Sequence, residues 1–324
     1  MNKKIPELNS KNKNIYLPQL SVIIPIYNGE DDLPELISCL LAQTYPKQFV
    51  EYLLVDNNSS DRSFKCIETA AANSPINIRP LQENQIQSSY AARNAGIRAA
   101  KGEIIVFTDA DCRPQPQWLE VIVKPFIEAD VAIVAGEITA LPGKSLLERF
   151  ADTQETLSQK HTLANSFCPY GQTANLAVRY MALMKVGLFR PYLTTGGDAD
   201  ICWRIQQDNI GCIEFAPDAI VKHRHRATIK ELASQWRRYG RSNRYLYELH
   251  GIDLMRQVTK RECYYRLLRW ILKEVPKDFT KILLGKASPL DFMNTPIGLF
   301  TARARYRGQQ EAQLPEKAKI VEWF

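Results

Sequence analysis

The chain lacks any uninterrupted apolar run of the roughly 18 residues that a membrane-crossing helix needs, so none is expected. Its first residues, MNKKIPELNSKNKNIYLPQ, are polar and hold no apolar stretch of the kind a secretory signal carries. A cytoplasmic protein, soluble or peripheral at the inner face of a membrane, is the expectation. Cysteine spacing is equally uninformative for bridges or zinc. There are 7 cysteines, an odd number, and no two stand as CxxC. Neither a disulfide framework nor a zinc cluster reads from this, and buried reduced thiols are expected. Glycine is scarce where a phosphate loop would need it. Only Gly29 follows the first apolar run. That excludes a GxGxxG dinucleotide site and argues against a nucleotidyltransferase or other nucleotide-phosphate enzyme with a Gly-rich loop. No repeat and no low-complexity segment is present.

Charge is present but unevenly spread. The chain has 42 Lys or Arg and 35 Asp or Glu, net +7. From Lys222 to Arg307 there are 20 basic and 7 acidic residues, which leaves 22 basic and 28 acidic elsewhere. Such an asymmetry marks a surface for anionic partners: phosphate-bearing substrates or anionic lipid headgroups. No nucleic-acid-binding module is legible among the basic segments, so nucleic acid is not an expected partner.

Apolar periodicity supplies the architecture. Leu20–Ile26 (LSVIIPI), Glu51–Val55 (EYLLV), Ile76–Leu81, Glu103–Thr108 (EIIVFT) and Val131–Gly136 read as short buried strands. Between them, Asp31–Ala42, Ser63–Ala72, Ser89–Ala100 and Pro116–Ala129 have helical spacing. This alternation predicts an α/β fold with a mostly parallel sheet covered by helices on both faces. Further on, Leu146–Ala164 and Ala199–Gln207 read as helices, and Cys212–Ala216 and Ala219–His223 as strands. Ile229–His250, Arg261–Glu274 and Asp278–Leu284 follow as helices. The expected division is a flexible arm over 1–19, an α/β domain over 20–228 and a basic helical C-terminal extension over 229–324.

In open α/β sheets, ligands bind outside the carboxyl ends of the strands. Three strands end there in polar residues: Pro25-Ile26-Tyr27-Asn28, Asp56-Asn57 and Asp109-Ala110-Asp111. Two carboxylates one residue apart project to the same side of an extended chain, so Asp109 and Asp111 can face one ligand. Such hard oxygens suit Mg²⁺ or Mn²⁺ shared with substrate phosphates, and a divalent cation neutralises a departing diphosphate.

The strings SVIIPIYN, LLVDNNSSD, ARNAGIRAAKGEIIVFTDAD and GGDADICWR, in this order over roughly residues 20–225, resemble the inverting glycosyltransferases of family 2, which have the GT-A fold. The resemblance implies transfer of a glycosyl residue from a nucleotide-sugar donor, commonly a uridine one, to a hydroxyl of a saccharide or lipid-linked acceptor. It implies that Pro25, Tyr27 and Asn28 edge the base pocket, that Asp56 bonds the base, and that Ser59 and Asp61 share its loop. It implies that Arg93 and Asn94 hold the same side of the donor. Asp109 then meets ribose or metal, and Asp111 is the principal metal ligand. A His in the HRHR segment completes the metal site in similar enzymes, and His223, at a strand end, is preferred to His225. Inversion in one displacement needs a base for the acceptor hydroxyl. Asp198 matches the Asp of the family's Glu-Asp motif, with Gly197 where Glu is common. Asp200 is the alternative base, unless it caps the helix or pairs with Arg204. Gln235-Trp236-Arg237-Arg238-Tyr239 resembles the QxxRW motif of processive members, with Tyr for Trp, so Gln235, Arg238 and Tyr239 are candidates for the donor diphosphate or an acceptor sugar. Without membrane helices, addition of a single sugar is the expected outcome. Gly171 and Ala174-Asn175-Leu176 fall at the family's acceptor-proximal loop. His161 and His250 read as surface residues. Basic residues beside Trp270 and Phe279 make contact with an anionic membrane an expected property of the extension. The competing non-enzymatic reading is a degenerate sugar- or nucleotide-binding module, and retention of Asp109, Asp111 and Asp198 argues against it.

Overall fold

The computed structural model describes residues 16–286 and 288–324. Of the arm expected over 1–19, residues 1–15 lie outside the described residues, while Tyr16 and Leu17 pack against the core. The strands are β1 (Leu20–Ile26), β2 (Val50–Asp56), β3 (Asn77–Gln82), β4 (Ile104–Phe107), β5 (Cys112–Pro114), β6 (Val131–Ala140), β7 (Leu176–Arg179) and β8 (Cys212–His223). They form one sheet in the order β3-β2-β1-β4-β7-β6-β8-β5. β1 to β4 run parallel, as do β6 and β8, while β7 and β5 are reversed. The mostly parallel sheet expected from the alternation is therefore present.

Period-2 geometry explains the near-continuous apolar runs of β1, β2 and β4. Val22, Ile24, Leu54 and Val106 enter the core on one face. Ile23, Leu53, Val55, Ile105 and Phe107 enter the core on the other. Both faces are covered, so both alternating sets must be apolar. Each such side chain contributes about 1.5–3 kcal/mol relative to exposure. The first layer is α1 (Leu33–Leu41), α2 (Ser63–Asn73) and α4 (Trp118–Ile122); the second is α3 (Ser89–Ala99), α7 (Tyr180–Val186) and α8 (Gly197–Gln207). Between α4 and α7 lie α5 (Leu146–Thr153) and α6 (Gln159–Leu163). The extension holds α9 (Ile229–His250), α10 (Lys260–Arg269), α11 (Val275–Leu283) and α12 (Asn294–Glu311).

Several boundaries differ from the expectation. The helix expected over 116–129 stops at Ile122 and continues as a 3₁₀ turn, Lys124–Ile127. Pro125 has no amide to donate and its ring crowds the preceding turn. The helix expected over 146–164 is two helices, because Glu155 turns left-handed at φ 46° and the Ser158 side chain caps a new start. Strands β5 and β7 and helices α7 and α12 were not anticipated. Pro296, Gly298 and Gly308 mask the helical pattern of α12.

The chain end returns to the sheet. Glu322 O accepts from Leu188 N at 2.8 Å, and Ala312, Leu314 and Ala318 join the core beside α3 and α8. α9 and α12 pack backbone to backbone. A Cβ on Gly240 would strike Arg305 O and Gln309 N, and one on Gly308 would strike Arg237 O. Only glycine permits that approach. Gly240→Val is therefore expected to cost about 3 kcal/mol, the upper end of ordinary overpacking. Urea unfolding measures it, and an unchanged midpoint would contradict the packing described.

Candidate active site

β1 and β2 run in register to their ends, with Ile26 opposite Asp56. The two following loops are tied together. Asn57 N donates to Ile26 O at 2.8 Å. Asn28 takes φ 49°, which Asn tolerates better than most residues. Its amide donates to Ser59 Oγ at 2.9 Å, and its Oδ1 accepts from Ser60 N at 2.8 Å. Asp61 Oδ2 accepts from Glu30 N at 3.1 Å. Ser59 and Asp61 thus brace the rim, while Tyr27 stands 56% exposed above it and Pro25 is half-buried. Asp56 is only 2% exposed. Its Oδ2 accepts from Ser59 N at 3.3 Å, but its buried Oδ1 has no partner. An orphaned buried acceptor costs about 1–3 kcal/mol. Such an atom marks a place where a ligand donor belongs.

Arg93, on α3, reaches the end of β4. Its Nη2 meets Asp109 Oδ1 at 2.6 Å, and its guanidinium lies 5.6 Å from the Tyr90 ring centre. Its buried Nε has no partner. The neighbouring Asn94 points elsewhere. Its Nδ2 donates to Phe189 O at 2.8 Å and to Glu322, and its Oδ1 accepts from Phe189 N at 3.0 Å. That side chain is fully engaged in pinning the chain end and the segment before α8, away from Asp109.

The antiparallel pairing of β5 with β8 sets Cys112 opposite His223, beside Asp111. His223 Nε2 lies 3.3 Å from Asp111 Oδ2. His223 Nδ1 lies 2.7 Å from Arg224 O, so a proton on Nδ1 donates there and Nε2 is the nitrogen turned to Asp111. Burial alone would raise the Asp111 carboxyl, but the His223 hydrogen bond and charge, with Arg226, hold it at about 2. Asp111, Cys112 and His223 offer donor atoms within 4.8 Å of one another. Burial, reinforced by Asp109 and Asp111, pushes the Cys112 thiol far up, so it stays protonated and is a poor ligand. What remains, a carboxylate and an imidazole beside Asp109, fits a divalent cation that shares its other positions with a substrate. His225 is buried two residues on. Burial, then the charge of His223, lowers its pKa, and its acidic neighbours are Asp152 and Glu148.

Arg113, not singled out from the sequence, braces this loop. It pairs with Asp32 at 2.7 Å and Glu35 at 2.8 Å, and donates to Ala110 O at 3.1 Å. Its position two residues after Asp111 was the only available signal.

Asp198 sits in the first turn of α8, where Gly196 takes φ 84°. Thr173 Oγ1 donates to Asp198 Oδ1 at 3.0 Å. Burial raises the Asp198 carboxyl and Asp109 adds to it, against Arg93 and Thr173. The departure at Gly197 has a steric cause: a Cβ there would stand 2.7 Å from the Tyr90 ring, whose hydroxyl accepts from Gly197 N at 3.0 Å. Asp200 is fully buried and already matched by Arg190, Arg204 and His250, each at 3.0 Å. Burial would raise it, but His250 and the two arginines hold it at about 2. It is a structural carboxylate paired with Arg204. His250, expected at the surface, is half-buried against it and against Trp203, with its ring nitrogen on the Asp200 carboxylate. His161 is exposed.

Asn175 is also structural. Fully buried, it accepts from Trp118 Nε1 at 2.7 Å and donates to Glu137 O and Ala219 O. On α9, Gln235 is buried one turn before Tyr239, while Arg238 is exposed. Arg305, on the unanticipated α12, lies near Tyr170 and Tyr239, and its buried Nε has no partner. Tyr170 feels both Asp198 and Arg305, and burial raises its hydroxyl to about 12. A basic and aromatic surface therefore adjoins Asp198.

Residues 21–192 match the model of glycosyl transferase family 2. The chain is similar to glycosyltransferase AglE of Haloferax volcanii, 34% identical over 259 residues, which are 79% of this chain and 81% of that one. It is also similar to undecaprenyl-phosphate 4-deoxy-4-formamido-L-arabinose transferase of Pectobacterium carotovorum, 30% identical over 157 residues, 48% of this chain and 47% of that one. The fold matches that of the mannosyltransferase PcManGT from Pyrobaculum calidifontis, solved in complex with GDP-Man and Mn2+, at a TM-score of 0.63 and 19% identity, over 91% of this chain and 88% of that one.

Proposed function

The chain belongs to glycosyl transferase family 2 and has its GT-A fold, and on that premise we propose that it moves one sugar from a nucleoside-diphosphate sugar to a hydroxyl of a saccharide or lipid-linked acceptor, with inversion. The observation that carries the reading is the shared rim: Asp56 Oδ1 unpartnered at one end, the Arg93–Asp109 and Asp111–His223 pairs beyond it, and Asp198 within electrostatic reach of Arg93 and Asp109.

Asp56 accepts an N–H of the base, in the first instance uracil. Asp111, Asp109 and His223 would hold a divalent cation, Mn²⁺ or Mg²⁺, which when bound would supply charge neutralisation for the diphosphate leaving group. Asp198 takes the acceptor proton as the new C–O bond forms, and its raised pKa makes it a better base than an ordinary carboxylate. Arg238 and Gln235 flank the leaving group or the incoming sugar. The complex of PcManGT with GDP-Man and Mn2+ supports a nucleotide sugar and a divalent cation as ligands of this fold. The undecaprenyl-phosphate relative supports a lipid-linked acceptor.

Asp56→Asn tests the donor end. It replaces an acceptor oxygen with a group that includes a donor, so the KM for a uridine donor is expected to rise about 10–100-fold, the worth of a hydrogen bond to a charged group, with kcat close to wild type. Steady-state kinetics measures this. An unchanged KM would remove Asp56 from the base pocket.

A further inference from the structure

We propose that the outward face of α10 to α11 is a docking surface for an anionic lipid bilayer. It deepens the acceptor side of the function above and rests on that reading only for its purpose. From Lys260 to Leu283 the chain is one helical rod, with a π turn at Trp270–Glu274. None of its residues is buried. Tyr264, Leu268, Leu272, Phe279 and Leu283 recur at helical spacing and are between 38% and 72% exposed. Contiguous apolar surface of this kind on a water-soluble face marks an interaction site.

Charge selects the occupant. Lys260 to Lys286 holds 8 Lys or Arg and 3 Asp or Glu. Two of the acids are already paired, Glu262 with Arg256 and Glu274 with Arg269. Arg261, Lys273, Lys277 and Lys281 are exposed beside the apolar row. An apolar stripe flanked by exposed cations suits a layer of anionic headgroups over acyl chains. A second copy of the same face would set these cations against each other. No helix among the described residues is long and apolar enough to cross a membrane, so the rod lies on the surface rather than through it. Its inner side is fastened by Trp270 Nε1 to Phe292 O at 3.0 Å and by Thr295 Oγ1 to Glu274 at 2.6 Å. The turn Pro289–Met293 packs on α5, whose Asp152 and Glu148 act on His225. The rod is thereby connected, through that turn and α5, to the segment that follows His223.

The test is co-sedimentation of the full chain with phosphatidylcholine vesicles, with and without phosphatidylglycerol, in the absence of donor. Binding to the anionic vesicles is expected. It should weaken by about tenfold or more in Leu272→Glu/Leu283→Glu and in Lys273→Glu/Lys277→Glu, and with added salt. All four sites are exposed, so melting temperatures should not move. Nucleotide release from the donor, measured without vesicles, should stay at the wild-type level, which separates this proposal from the catalytic one. Equal binding to both vesicle types, no loss in the variants, or a loss of self-association with no change in vesicle binding would overturn it.

Discussion

Asp198→Asn is expected to lower transfer by roughly 10²–10⁴-fold, the usual worth of a positioned general base, with donor affinity unchanged. The substitution is nearly isosteric and keeps an oxygen for the Thr173 hydroxyl. The loss should therefore fall on kcat. The pH profile gives a second readout. Asp198 must be ionised to accept a proton, and burial lifts its carboxyl above the usual range. Wild-type turnover should fall as pH drops through that raised value, and the Asn variant should lose this limb. Retained transfer in Asp198→Asn would eliminate it as the base. Asp200 is not available as a replacement, because Arg190, Arg204 and His250 already occupy its carboxylate.

Asp111→Ala is expected to abolish cation-dependent turnover, a loss of roughly 10³-fold, since a divalent cation supplies several kcal/mol of charge stabilisation to the leaving group. The variant leaves His223, Asp109 already paired with Arg93, and a thiol that burial keeps protonated, which is too little to hold Mn²⁺. Direct Mn²⁺ titration distinguishes this variant from Asp198→Asn: the first should lose the ion, the second should keep it. Undiminished Mn²⁺ affinity in Asp111→Ala would move the metal site elsewhere.

The parts of this fold legible from sequence share one property. β1, β2 and β4 are buried on both faces, so their sequences are short apolar runs that little else produces. Their polar ends named the rim. Less visible were the elements defined by distant partners. β5 is three residues long and exists because β8 pairs with it, yet that pairing is what sets His223 beside Asp111. α12 carries proline and glycines that break the local pattern, and one of them, Gly308, serves the crossing with α9. Asn94 and Asn175 have the residue type of a binding group but make their hydrogen bonds to backbone atoms and to the side chains of Glu322 and Trp118. Sequence spacing carries no signal for that difference. The same holds for His250, which reads as a surface histidine and is a half-buried partner of Asp200.

The most direct test of cation-dependent glycosyl transfer at this rim is nucleotide release from a panel of nucleotide sugars, with Mn²⁺ or Mg²⁺ and with chelator, using wild type and Asp111→Ala side by side with an acceptor-containing extract. Release of nucleoside diphosphate from at least one donor, lost in chelator and in Asp111→Ala, with one sugar added to a product by mass spectrometry, is the predicted result. No release or binding with any donor, or full turnover in chelator or in Asp111→Ala, would contradict it.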